Sequence, residues 1–212
     1  MVAIIFIWTG LALLALQRTP YRSHLGQLGI IATVALLLAF IYSNAKSNRA
    51  KARIGAKSER RVAKVLGSLN PVALLNSTLL GAGGDADHIV LGPWAVVIET
   101  KTGHGLASYD GQHMRVGSKI IPTNPVTQVQ RQARALRTEA GIYVDAVVCI
   151  VDMDNAPFTA GSTTVCSLRD LPRIIAGLDR RLDEAPALRL YEHLTTLQRS
   201  AAPTNLGLST SR

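Results

Sequence analysis

No acidic residue occurs in this chain before Glu59, and charge of either sign is missing from Val2 to Leu16 and again from Leu28 to Tyr42. Both uncharged runs are rich in Leu, Ile, Val and Ala and have no polar face to offer water. Each is read as a membrane helix, because 17 to 18 residues cover about 26 Å at 1.5 Å per residue, close to the hydrocarbon thickness. A basic segment before the first run and a small-x-small site after it are also missing, which argues against a cleaved signal peptide. Cysteine is scarce: Cys149 and Cys166 lie in apolar, strand-like runs without metal-ligand spacing. That excludes a disulfide framework and a zinc site and suits a reducing compartment.

What is present is cationic and unevenly placed. Between the two runs, Arg18 and Arg22 sit in a short polar turn, so residues 1–43 read as a transmembrane hairpin. Lys46, Arg49, Lys51, Arg53, Lys57, Arg60, Arg61 and Lys64 follow, against the single acid Glu59. By the positive-inside rule this side is cytoplasmic, which makes the chain a multi-pass protein of the cell (inner) membrane with its remaining domain in the cytoplasm. Residues 46–64 are the expected contact with anionic lipid. The cations before Val65 account for the whole net charge of +9. The rest of the chain is neutral, so the basic balance is a topology signal and no evidence for nucleic-acid binding.

Beyond residues 44–53, read as a polar linker, Val62, Val65, Leu66 and Leu69 recur at helical spacing. Val72 to Leu80 reads as a strand. Ala86 to Leu91 and Trp94 to Thr100, separated by Gly92-Pro93, form a hairpin whose second strand is apolar enough to be central. Gly103 to Pro122 suggests edge strands or a mobile flap. Asn124-Pro125 opens a helix to about Ala140, Tyr143 to Val151 is a buried strand, and Thr163 to Cys166 a short one. Leu168 to Leu182 and Ala187 to Arg199 read as helical, and 201–212 as a disordered tail. This order predicts an α/β fold, a mixed sheet flanked by helices.

The chemistry is concentrated in G-D-A-D-H-I-V-L-G-P-W-A-V-V-I-E-T-K, residues 84–101. Asp87 begins one hairpin strand while Glu99 and Lys101 end the other, and residues two apart on a strand share a face. Two carboxylates and an ammonium at one sheet end suit Mg²⁺ or Mn²⁺, with a cation ready to orient a water and offset phosphate charge. An exposed Glu99–Lys101 ion pair is the competing reading. Asp85 reads as a turn residue, His88 as structural or solvent-facing, and His104 and His113 as solvated. Arg131, Arg134 and Lys119 read as surface charge, with a modest phosphate-contacting patch as the alternative.

Four pieces in order, G-A-K-S-E (55–59), D-H-I-V-L-G-P (87–93), V-I-E-T-K (97–101) and N-P-V-T-Q (124–128), resemble the nuclease-related domain (NERD) family of the PD-(D/E)xK nuclease superfamily. The resemblance runs from Gly55 to Leu136. It implies a restriction-endonuclease-like domain over 54–183, with 184–200 a C-terminal helix. It also implies that Asp87 and Glu99 bind the metal, that Lys101 positions the attacking water, that Glu59 completes the acidic cluster, and that Gln128 supports the site. Ser58 stands where the family has a second Gly before the helix acid. The expected function is therefore a membrane-anchored, Mg²⁺- or Mn²⁺-dependent nuclease acting on nucleic acid, DNA favoured. The alternatives are an inactive nuclease-like tether that binds nucleic acid or a protein, and a membrane-surface sensor.

Overall fold

The computed structural model describes residues 24–178 and 182–201. The chain divides into two compact units, Met1–Ala52 and Arg53–Arg212. Helix α1 is continuous over His24–Gly67, so the stretch 44–53, expected as a polar linker, is helical. Its residues explain this: Asn44 to Ile54 holds no Gly or Pro and is filled by Ala, Lys and Arg, all tolerant or good helix formers. Among the described residues no helix is long and apolar enough to cross a membrane. The described side chains of the second expected span cover Ala32 to Tyr42, about 17 Å of helix, before Asn44 and Lys46 follow. The first span, Val2–Leu16, and the tail 202–212 lie outside the described residues.

The second unit is built on a six-stranded mixed sheet in the order β1-β2-β3-β7-β9-β8. Its strands are β1 (Ala73–Leu79), β2 (Asp85–Leu91), β3 (Ala95–Gly105), β7 (Asp145–Met153), β8 (Phe158–Ala160) and β9 (Thr163–Ser167). The β1–β2–β3 meander is antiparallel, β3, β7 and β9 run parallel, and β8 returns antiparallel to β9. The parallel step from β3 to β7 is crossed by helix α2, Pro125–Ala140. Asn124 starts that helix by accepting from the N–H groups of Val126 (3.0 Å) and Thr127 (3.3 Å), with Pro125 in the first turn, and Gly141 ends it in the left-handed region.

Strands β2, β3 and β7 are buried on both faces, which is why they read as apolar runs. On one face Ile89, Val97, Val148 and Ile150 pack with Val129, Ala133 and Leu136 of α2 and with Ala187, Leu190 and Leu194 of α4 (Glu184–Ala201). On the other, Val90, Val96, Ile98, Val147 and Cys149 pack with Val62 and Leu66 of α1 and with Leu171 and Ile175 of α3 (Leu171–Ala176). Helix α3 is shorter than the expected 168–182, because Gly177 closes it. Cys149 and Cys166 are free and buried.

The segment after β3, expected as edge strands or a flap, is a second, three-stranded sheet: β4 (Ala107–Tyr109), β5 (Met114–Val116) and β6 (Lys119–Ile120). It is fitted closely to the end of β3. A Cβ on Gly103 would lie 2.7 Å from Val116 Cγ1, and one on Gly105, whose φ is +109, would lie 3.3 Å from the Gly117 Cα. Asn155 holds the entry to β4 through both backbone groups of Ala107, and Asn124 Nδ2 donates to the Gln112 carbonyl at 2.7 Å.

Candidate active site

Strand register assembles the site. His88 pairs with Ile98 in the antiparallel β2–β3 ladder, so one further step sets Asp87 across from Glu99. Directly opposed residues share a face with Cβ atoms about 5 Å apart. Glu99 and Lys101, two apart on β3, lie on that same face, the one covered by α2. Glu99 is 1 % exposed and its Oε1 accepts from Lys101 Nζ at 2.6 Å, while the Lys101 side chain remains 24 % exposed. This is a half-buried ion pair at the mouth of a buried carboxylate, not the exposed surface pair of the competing reading.

The backbone and α2 hold the two carboxylates. Thr100 donates its N–H to Asp87 Oδ2 at 2.7 Å, stitching the Asp87 side chain to the neighbouring strand. Gln132, fully buried, donates from Nε2 to Glu99 Oε2 at 3.3 Å and to the Asp85 carbonyl at 2.5 Å. Its Oε1 is buried without a partner among the described residues. Gln128, expected to support the site, is half-buried one turn earlier, and the hydrogen bond from α2 to Glu99 comes from Gln132. Sequence reasoning passed over Gln132, although it carried a signal: with Val129, Ala133 and Leu136 it completes the i, i+3, i+4, i+7 face of α2, a polar residue inside an apolar stripe.

Glu59 approaches from α1. Ser58, buried beside it, shares a 2.8 Å hydrogen bond with Thr102 on β3, which gives the Ser in place of Gly a definite partner and fixes the helix against the strand. All three acids have their carboxyl pKa raised. For Glu59 the causes are burial and then the Asp87 charge, opposed by Lys101. For Asp87 burial leads, opposed by the Thr100 N–H and Lys101, with Asp85 adding to the rise. For Glu99 burial leads again, then Asp87, opposed by Lys101 and by the hydrogen bonds from Lys101 and Gln132. Burial therefore disfavours the charged form of all three acids, and the Lys101 ammonium opposes that effect on each.

The remaining candidates stand apart. His88 faces the opposite side of β2, is 1 % exposed, and meets Asn76 Oδ1 through Nδ1 at 2.6 Å. Burial lowers its pKa to about 4, so it is a neutral structural residue. His104 and His113 are exposed, and His113 lies 3.6 Å from Asp110 in the turn of the small sheet. Asp85 is exposed at the start of β2 and contributes its carbonyl.

The donor set can be weighed against a metal ion. No three His, Cys, Asp or Glu side chains among the described residues come close enough to hold a metal between them, so Asp87, Glu99 and Glu59 do not form a closed cage. Mg²⁺ does not require one; it takes one or two carboxylates and completes its shell with water and substrate phosphate. The Asp87 and Glu99 oxygens, hard and pushed toward protonation by burial and mutual charge, are the donors a divalent cation would relieve.

Residues 54–151 match the nuclease-related domain, NERD. The matched region runs from the end of α1 through β7 and so contains the β2–β3 hairpin, α2 and every residue of the acidic site. No curated protein and no solved structure matches the chain. The likeness to the nuclease-related domain thus rests on residues 54–151.

Proposed function

We propose that the nuclease-related domain is a metal-dependent phosphodiesterase acting on nucleic acid, DNA favoured, and that its N-terminal apolar segments anchor it to the membrane with the site on the cytoplasmic side. The observation that carries this reading is the convergence of Asp87, Glu99 and Lys101 on one sheet face, inside a region that matches a nuclease-related family.

Asp87 and Glu99 would hold Mg²⁺ or Mn²⁺. When bound, such an ion supplies Lewis-acid polarisation of a phosphate oxygen and a lowered pKa for a water. Lys101, charged and partly open to solvent, orients the attacking water and offsets the negative charge that builds on the phosphate. Thr100 and Gln132 keep Asp87 and Glu99 in place. Glu59 completes the acidic cluster from α1.

The anchor is supported by α1, on which Val34, Leu36, Leu38, Phe40, Ile41 and Tyr42 are all exposed. Exposed apolar side chains on every side of a helix have no role in water. The eight cations of 46–64 follow on the same helix, all exposed, and would meet anionic headgroups.

Nicking of plasmid by the full chain in detergent, with Mn²⁺ or Mg²⁺ against EDTA, tests the reading. Lys101→Ala and Asp87→Ala should each lose at least 100-fold in rate with an unchanged circular dichroism spectrum. Wild-type activity in Lys101→Ala would remove the assignment. A non-catalytic tether is the second reading, favoured by the neutral charge beyond Val65 and by Lys101 already lying on Glu99. It requires that the chain neither bind Mn²⁺ nor nick DNA.

A further inference from the structure

A site made of three acids repels the polyanion it is proposed to cut, and its one ammonium is engaged with Glu99. A second cation is needed to seat the phosphate, and α2 supplies three candidates. Arg137 is committed elsewhere: Nε and Nη2 both donate to the Val144 carbonyl, at 2.9 and 2.6 Å, and the guanidinium lies 4.3 Å from the Tyr143 ring centre. Arg134 lines a small recess with Gln130, Ala146 and Ser162, away from the acids.

Arg131 is different. Next in sequence to Gln132, it donates from Nε to the Gly83 carbonyl at 3.2 Å, while Gln132 takes the Asp85 carbonyl two residues on. Two consecutive side chains of α2 thereby grip the loop that leads into Asp87. One hydrogen bond fixes the Arg131 guanidinium and leaves its terminal nitrogens available; it is exposed and makes no ion pair among the described residues. Gly84 keeps the space beside it open: its φ is +77, and a Cβ there would stand 3.3 Å from Arg131 Nη2. A guanidinium oriented by its own Nε and free at its fork suits phosphate oxygens.

We propose that Arg131 is a phosphate-binding residue, gripping a backbone phosphate of the nucleic acid at the loop that leads into Asp87 with the nitrogens that Gly83 leaves free. The proposal rests on the nuclease reading. Phosphate contacts carry no sequence information, so the contribution of Arg131 is the same for any sequence.

The test is the salt dependence of binding of a labelled DNA duplex to the full chain in detergent and EDTA. Each phosphate contact contributes about 0.9 to the slope of log K against log salt. Arg131→Gln should lower the slope by about that amount on two unrelated sequences. Arg131→Lys, which keeps the charge, should retain the slope. Arg134→Gln, the same charge change one turn away, should leave it within error of wild type. Equal losses in Arg131→Gln and Arg134→Gln would reduce the effect to bulk charge and overturn the assignment. So would an unchanged slope in Arg131→Gln, with the nuclease reading left standing. Absence of DNA binding by the wild type would defeat both.

Discussion

A fully buried glutamine is costly unless its amide is hydrogen-bonded, and Gln132 meets half of that demand: Nε2 donates to Glu99 and to the Asp85 carbonyl, while Oε1 has no partner among the described residues. Its position is therefore chemical as much as structural: it fixes which way the Glu99 carboxylate faces. Gln132→Leu conserves volume but frees Glu99 Oε2. By analogy with outer-shell partners of metal ligands, Mn²⁺ affinity should fall by about tenfold or more. Titration calorimetry on the two proteins checks this, and equal affinities would make Gln132 a packing residue only. Asp87, Glu99 and Lys101 were legible in the sequence because a strand alternates faces with a period of two and a tight hairpin returns its ends together. Gln132 was not, because its meeting with Glu99 depends on how α2 docks across the sheet, which no local pattern encodes. Glu59 was legible only through the resemblance of G-A-K-S-E to a nuclease-related motif, and the Ser58–Thr102 hydrogen bond beside it through neither route.

At the scale of elements, long periodic segments were read well and short ones poorly. The hairpin, α2 and β7 came through because apolar runs and the Asn124-Pro125 start are strong local signals. The short strands β5 and β6 showed as brief alternations within Gly103 to Pro122, whereas the three-residue strand β8 left no pattern to read. The basic stretch after Tyr42 looked like a linker because it is polar, yet Ala, Lys and Arg extend a helix readily, and α1 runs through it. The apolar part of α1 leads to a prediction of its own. If 1–43 anchors the chain, alkaline carbonate washing of membranes should leave it in the pellet. Release of the chain into the supernatant would show a peripheral association through the basic segment and would retire the transmembrane reading.

For the molecule as a whole, the acids tie stability to pH. Asp87, Glu99 and Glu59 have folded pKa values raised above their ordinary ones. Their stabilising contribution is fully present below the ordinary carboxylate range and is lost as pH rises through the raised values. His88 works the other way: neutral in the fold with a pKa lowered to about 4, it stabilises above pH 6.5 and ceases to as pH falls toward 4. A cation bound by Asp87 and Glu99 competes with protons for the same oxygens. The rise in melting temperature caused by millimolar Mn²⁺ should therefore be larger at pH 7.5 than at pH 5. Taking the difference with and without Mn²⁺ at each pH removes the His88 contribution. An equal rise at both values would place the ion elsewhere on the chain.

The small sheet after β3 is fitted closely to its neighbour, with the Val116 side chain over Gly103 and the Gly117 backbone against Gly105. Such a joint has no slack for a gate that swings independently. Any ligand that displaces β4 to β6 must drag the end of β3 with it, only two residues from Lys101. The exposed Asp110–Gln112 tip lies outside that joint, so a change of length there leaves the ammonium undisturbed.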